Sequence, residues 1–183
     1  MFKTLAFFLL FLLFFLGNIA SLSAQEDSTE QKLFRTKDDY YAHQAEVQLA
    51  MQNWLQLSPF DVLQKETRQM TAAYAFAWIS GAPHVKIVLG SSPEMDVLKE
   101  KSYPFQPDLL LAFVFGQTLH LLEFPEQNTH QAESIEAGIK GMLTFYDTIL
   151  AEKSNKKYRH KVLDRYKKMA HKKTLLAYIN SKI

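Results

Sequence analysis

Leu109–Leu122, LLLAFVFGQTLHLL, is apolar on every side of a helix and leaves no face for water. A helix of that kind has to be wrapped by other elements. Its 14 residues fall short of the roughly 20 that a bilayer crossing needs. The stretch therefore predicts the central buried helix of an all-α domain. Pro107 and Asp108 open it, the proline where its missing N–H is harmless and the acid where the helix dipole favours negative charge. Pro125 stops it, so the expected span is about 107–124.

Working outward, the loop PEQNT leads to a second helix expected from His130 to Glu152. Ile135, Ile139, Met142, Leu143, Tyr146 and Ile149 recur there at helical spacing. Gly138 and Gly141 lie inside that helix, where each costs about 1 kcal/mol against Ala. Close approach of the central helix, opposite Gly116, is the use expected of them.

Upstream, Thr36 followed by Asp38 and Asp39 reads as a helix start, and Tyr40, Val47, Ala50, Met51, Trp54 and Leu55 carry a helix over 37–57. Ser58-Pro59-Phe60-Asp61 reads as the next start. The helix it opens carries Leu63, Thr67, Met70, Tyr74, Ala77 and Trp78 on one face and ends at Ser80-Gly81-Ala82-Pro83. With almost no loop between them, these two helices should form an antiparallel hairpin.

Val85, Ile87 and Leu89 then alternate with His84, Lys86 and Val88, a strand pattern without an evident partner. The expectation is one short extended segment near 84–89, lying across the helices or pairing in a small ribbon or dimer edge. Ser92-Pro93-Glu94 opens a short helix to about Lys101, and Tyr103–Pro107 is a rigid loop. After Ser154-Asn155, Val162, Tyr166, Met169, Leu176 and Ile179 predict a final amphipathic helix over about 155–181. The fold expected is all-α: antiparallel hairpins, about five main helices, around the central one.

Residues 1–24 read as a signal peptide. Lys3 precedes the unbroken apolar run Leu5–Leu16, and small residues follow in SLSA. Cleavage is expected after Ser23 or Ala24, with an uncleaved anchor as the competing reading. The absence of Cys excludes a lipoprotein anchor. Residues 25–35 read as a flexible polar lead-in, and 36–183 as a single domain held by packing, since there is no Cys to staple it. An exported chain, periplasmic or extracellular, follows as the expectation.

The net charge of +2 conceals a strong asymmetry. From Gln25 to Ala151 there are 9 Lys and Arg against 17 Asp and Glu, a net of −8. From Glu152 to Ile183 there are 11 against 2, a net of +9. The cations Lys156, Lys157, Arg159, Lys161, Arg165, Lys167, Lys168, Lys172 and Lys173 sit on or beside the last helix. Three readings compete for them: a solvated face neutralised by the acidic body, a surface for anionic lipid or envelope polymer, and a docking face for a protein partner. Nucleic acid is not expected of an exported chain.

Two resemblances accompany these readings. The hairpin Ala112–Ile149 resembles a tetratricopeptide-type helical pair, with Gly116, Ala137, Gly138 and Phe145 at its packing positions. Leu119 departs from the aromatic residue usual there, the loop is long, and no 34-residue repetition occurs. The turn Trp78-Ile79-Ser80-Gly81-Ala82-Pro83-His84-Val85 resembles the Trp-x-x-Gly-x-Pro-x-Val turn of uncharacterised secreted bacterial proteins. That likeness implies an all-helical fold and brings no activity.

Few chemistries remain. There is no Cys, no Gly-x-Ser-x-Gly elbow and no phosphate-cradling glycine loop. His-x-x-Glu occurs as His43/Glu46, His120/Glu123 and His130/Glu133, each placing a nitrogen and a carboxylate on one helix face. His120, Glu123, His130 and Glu133, with Glu136 nearby, are thus the metal candidates, although di-iron bundles use the reverse order. His120 also reads simply as a core histidine bonded to a neighbour. No cofactor is expected. The reading carried forward is a non-enzymatic envelope binding module. Its alternatives are a helical metalloprotein using the His/Glu pairs and a carrier of an apolar ligand.

Overall fold

The computed structural model describes residues 34–87, 89, 93–100, 102–127 and 131–183. The expectations for the signal peptide, for most of the lead-in and for Ser92 and His130 lie outside them. Phe34–Ile183 forms one compact unit. Among the described residues it contains eight α-helices, five of them longer than ten residues. None is long and apolar enough to cross a membrane.

α1 (Lys37–Ala42) and α2 (Gln44–Gln56) replace the single helix expected over 37–57. The interruption is one residue, His43, whose N–H still reaches the Asp39 carbonyl at 3.1 Å. The start is a capping box. Asp39 N–H donates to Thr36 Oγ1 (3.2 Å) and Thr36 N–H donates to Asp39 Oδ2 (2.7 Å).

α3 (Lys65–Gly81) begins later than Ser58. Ser58 Oγ accepts from Phe60 N–H at 3.1 Å and Asp61 Oδ1 from Leu63 N–H at 2.9 Å. These local bonds compete with helix formation and hold Leu57–Gln64 as a connection. The buried face is rotated as well. Arg68, Ala72, Ala75, Trp78 and Ile79 point inward, while Leu63, Thr67, Met70 and Ala77, expected on that face, are exposed.

Residues 84–87 run without strand pairing, with Val85 buried and Ile87 half-buried against the core. The Trp78–Val85 turn packs on the first helices. Trp78 Nε1 donates to the Tyr40 carbonyl (2.8 Å), and His84 stacks on Tyr41 with ring centroids 4.5 Å apart. A short α4 (Glu94–Leu98) follows.

α5 (Gln106–Glu123) is the central helix, with ten buried residues from Leu109 to Leu121. It lies along α6 (Ala132–Glu152), whose expected stripe is buried throughout. Backbone contact sets their spacing. A Cβ at Gly116 would overlap the Ala137 carbonyl, and one at Gly141 the Ala112 carbonyl. Trp54 of α2 closes the core over this pair, edge-on to Phe115 (5.2 Å) and stacked near Phe145 (5.3 Å).

The single C-terminal helix expected over 155–181 is three pieces: a 3-10 turn (Lys156–Tyr158), α7 (Lys161–His171) and α8 (Leu175–Asn180). The first break comes at extended Arg159 and His160, the latter capping α7. The second is a Schellman turn: Thr174 N–H reaches Met169 O (2.9 Å) and Lys173 N–H reaches Ala170 O (3.0 Å). Lys173 takes the left-handed conformation (φ 58°) that such a turn needs. Both α7 and α8 pack on α6, through residues that include Leu163, Leu175 and Ile179.

Candidate functional site

His160 is fully buried where α7 begins. Its Nε2 lies 3.1 Å from the Val97 carbonyl and 3.3 Å from Glu100 Oε2. Nδ1 accepts weakly from Leu163 N–H (3.4 Å). Burial lowers the pKa of His160, against the opposing pull of Glu100. The His160 N–H donates to Tyr146 Oη (2.9 Å), which donates to Asp164 Oδ1 (3.0 Å). Burial pushes the Tyr146 hydroxyl up to about 12, so it stays a donor. Arg159 Nη1 completes the cluster at 3.2 Å from Asp164.

Directly above this cluster lies an open groove of about 630 Å³, lined by Glu100, Lys156, Arg159, Lys161, Asp164, Arg165 and Lys168. Five cations face two carboxylates there. Arg159 is tied to Asp164, and Arg165 stands 3.9 Å from Asp96 with its guanidinium over the Tyr166 and Tyr178 rings. Among the described residues Lys156, Lys161 and Lys168 have no carboxylate partner. The two arginines are thus held in place while three ammonium groups remain for an anion, an arrangement suited to charge-assisted contacts.

Of the nine cations singled out in the sequence, the structure brings together Lys156, Arg159, Lys161, Arg165 and Lys168. The other four stand outside the groove lining. Lys157 lies over the Tyr158 ring at 5.5 Å. Lys167 pairs with Asp147 of α6, so part of the basic face is neutralised by the acidic body. Lys172 and Lys173 form the Schellman turn. Sequence reasoning missed Glu100, Asp164 and His160. His160 carried only a faint signal, as the residue before a helix-forming run.

Of the His/Glu candidates, His130 lies outside the described residues, and the others are placed apart from any shared ligand cluster. His120 is half-buried and its Nε2 meets Gln127 Oε1 at 2.7 Å, which matches the reading of a histidine bonded to a neighbour. Glu123 and Glu133 are exposed. His43 and Glu46 do pair at 3.2 Å, at the joint of α1 and α2. Among the described residues no three His, Asp or Glu side chains gather around a common point. A second groove, about 600 Å³ between α2 and α3, mixes Leu49, Ala50 and Leu57 with Glu46, Asn53, Gln56, Thr67 and Thr71.

Fold and groove together define an all-α helical bundle with a basic surface site. Comparison with protein-family models, with curated proteins and with solved structures returns no match.

Proposed function

We propose that this chain is an exported, non-enzymatic interaction module of the cell envelope that holds an anionic partner in the groove along α7. One observation carries the reading: Lys156, Lys161 and Lys168 share one groove and, among the described residues, have no carboxylate partner. A solvated face neutralised by the body would instead have paired them, as it has paired Lys167 with Asp147. The leader-like run Leu5–Leu16 behind Lys3 supports export. That history also favours an envelope anion over nucleic acid.

Titration calorimetry with inorganic polyphosphate tests the groove. Binding is expected at low salt and should weaken steeply at high salt, because exposed charges are screened. Reversing Lys156, Lys161 and Lys168 together to Glu should reduce affinity by more than tenfold while leaving the helical circular dichroism unchanged. Reversal of Lys172 should have little effect. No binding by the unaltered chain at low salt, or equal binding by the triple variant, overturns the reading.

A further inference from the structure

The connection Leu57–Gln64 and the basic turn Lys156–Tyr158 meet at one aromatic anchor. Phe60 is half-buried, edge-on to Tyr158 and to Phe105 with ring centroids 5.3 Å away in both cases. Lys153 Nζ lies 5.8 Å from the same ring. Just beyond the anchor, Val62 is 82% exposed and Leu63 92% exposed. Two adjacent large aliphatic side chains therefore project from the protein where its basic segment begins.

The tip is preformed. Leu63 N–H donates to Asp61 Oδ1, and Gln64 and Lys65 N–H reach the Asp61 and Val62 carbonyls, both at 3.3 Å. Nothing in the core holds Val62 or Leu63, so burying them is left to an outside phase. Single exposed apolar residues are ordinary. An adjacent pair, presented by a hydrogen-bonded turn beside an aromatic anchor that also carries Lys153 and the basic turn, is a different case.

We propose that this tip docks on anionic lipid. Val62 and Leu63 enter the boundary between head groups and acyl chains, and Lys153, Lys156 and Lys157 meet the anionic head groups. The proposal rests on the anionic-partner reading above and names lipid as the partner. Lys156 lines the groove and belongs to the turn, so the two surfaces are continuous. A bilayer fits better than a protein. A specific protein interface buries about 800 Å² on each partner around packed anchors, more than two side chains supply, whereas peripheral membrane binding combines a modest apolar insertion with basic residues. Of the acids adjoining these segments, Asp61 accepts from the Leu63 N–H and Asp108 from Arg68, while Glu66 and Glu152 lie on the neighbouring helix ends.

The chain has no Cys, so Leu63→Cys in the full chain gives a unique site for an environment-sensitive fluorophore. Ser80→Cys, exposed at the other end of α3, is the control. Vesicles of phosphatidylglycerol mixed with phosphatidylcholine should blue-shift and brighten the label at 63 but not at 80. Pure phosphatidylcholine should do neither. Each lysine is worth about fivefold in partitioning, so reversing Lys153, Lys156 and Lys157 to Glu should shift half-saturation to at least tenfold more anionic lipid. No response at 63, an equal response at 80, or an equal response on neutral vesicles overturns the proposal. So does a lipid-free shift that grows with protein concentration, which marks a second copy as the occupant. If polyphosphate still binds while the label at 63 stays silent, the lipid proposal falls and the groove reading stands. If both assays are silent, both fall.

Discussion

Arg68 donates from Nη2 to Asp108 Oδ1 at 2.8 Å, joining the interior face of α3 to the first turn of the central helix. The guanidinium is otherwise enclosed, with the residue only 7% exposed. It lies 3.9 Å from the centre of the Trp54 ring and 4.5 Å from that of Phe145, and Nη1 donates to the Trp54 and Leu57 carbonyls at the end of α2. Burial lowers the Arg68 pKa and Asp108 partly restores it. One cation thus caps one helix, complements the start of another and fills the core between them.

Removing it leaves two carbonyls and a carboxylate short of their donor. Arg68→Ala is expected to destabilise the domain by about 3–5 kcal/mol, the range for breaking a buried ion pair from one side. Asp108→Asn should cost less, about 1–2 kcal/mol, because Asp108 is partly solvated and both backbone acceptors keep Arg68. Urea unfolding of both single variants and the double variant measures the coupling. Equal losses for Arg68→Ala and Asp108→Asn would show that the carboxylate, not the carbonyl capping, dominates.

Arg68 also shows where sequence reading stops. In KETRQMT it looks like any solvent-facing helix residue, and nothing local announces two aromatic rings brought from 14 positions upstream and from α6. The central helix and the α6 stripe were legible because their periodicity is itself the burial. The start of α3 was misread because Ser58 and Asp61 fit a cap and a turn equally well, and the choice rests on which N–H groups they meet. The break at Lys173 was hidden because the left-handed position holds Lys where Gly is usual. For the groove, the cations were visible and their pairing was not. Lys167 and Lys168 are neighbours in the chain, yet only Lys167 meets Asp147.

The α5–α6 contact predicts an order among glycine variants. At Gly116 a Cβ meets a backbone carbonyl that cannot rotate away, whereas at Gly138 it meets the Phe113 ring and Gln117 side chain. Overpacking costs about 1–3 kcal/mol, partly offset by the roughly 1 kcal/mol that Ala gains over Gly in a helix. Gly116→Ala should therefore lower the urea midpoint clearly, with Gly138→Ala closer to the unaltered protein. The reverse order would mean that the helices are spaced by side chains.

His160 makes stability depend on pH. Its folded pKa lies below the ordinary 6.5, so the unfolded chain takes up the proton first. The contribution is complete above about 6.5 and is lost as pH falls from there toward the lowered folded value. Glu100 and Asp164 face the imidazole and temper the loss; His84, lowered in the same direction, titrates in every variant and cancels in a difference. Unfolding free energies at pH 7.5 and pH 5.0 should fall further for the unaltered chain than for His160→Gln. An equal fall in both would assign the slope to other groups.

Lys173 separates strain from binding. A non-glycine residue in the left-handed region costs about 1–2 kcal/mol, and Gly returns part of that through the greater freedom of the unfolded chain. Lys173→Gly keeps both Schellman hydrogen bonds and should stabilise by about 0.5–1 kcal/mol, raising Tm by roughly 1–4 °C at this size. Because Lys173 lies outside the groove lining, polyphosphate affinity should fall far less than in a Lys161→Glu variant. A gain in Tm with affinity retained would make Lys173 a tolerated turn residue. A gain in Tm with affinity lost would instead mean that the strained backbone holds a cation where the partner needs it, and would extend the binding surface across the α7–α8 turn.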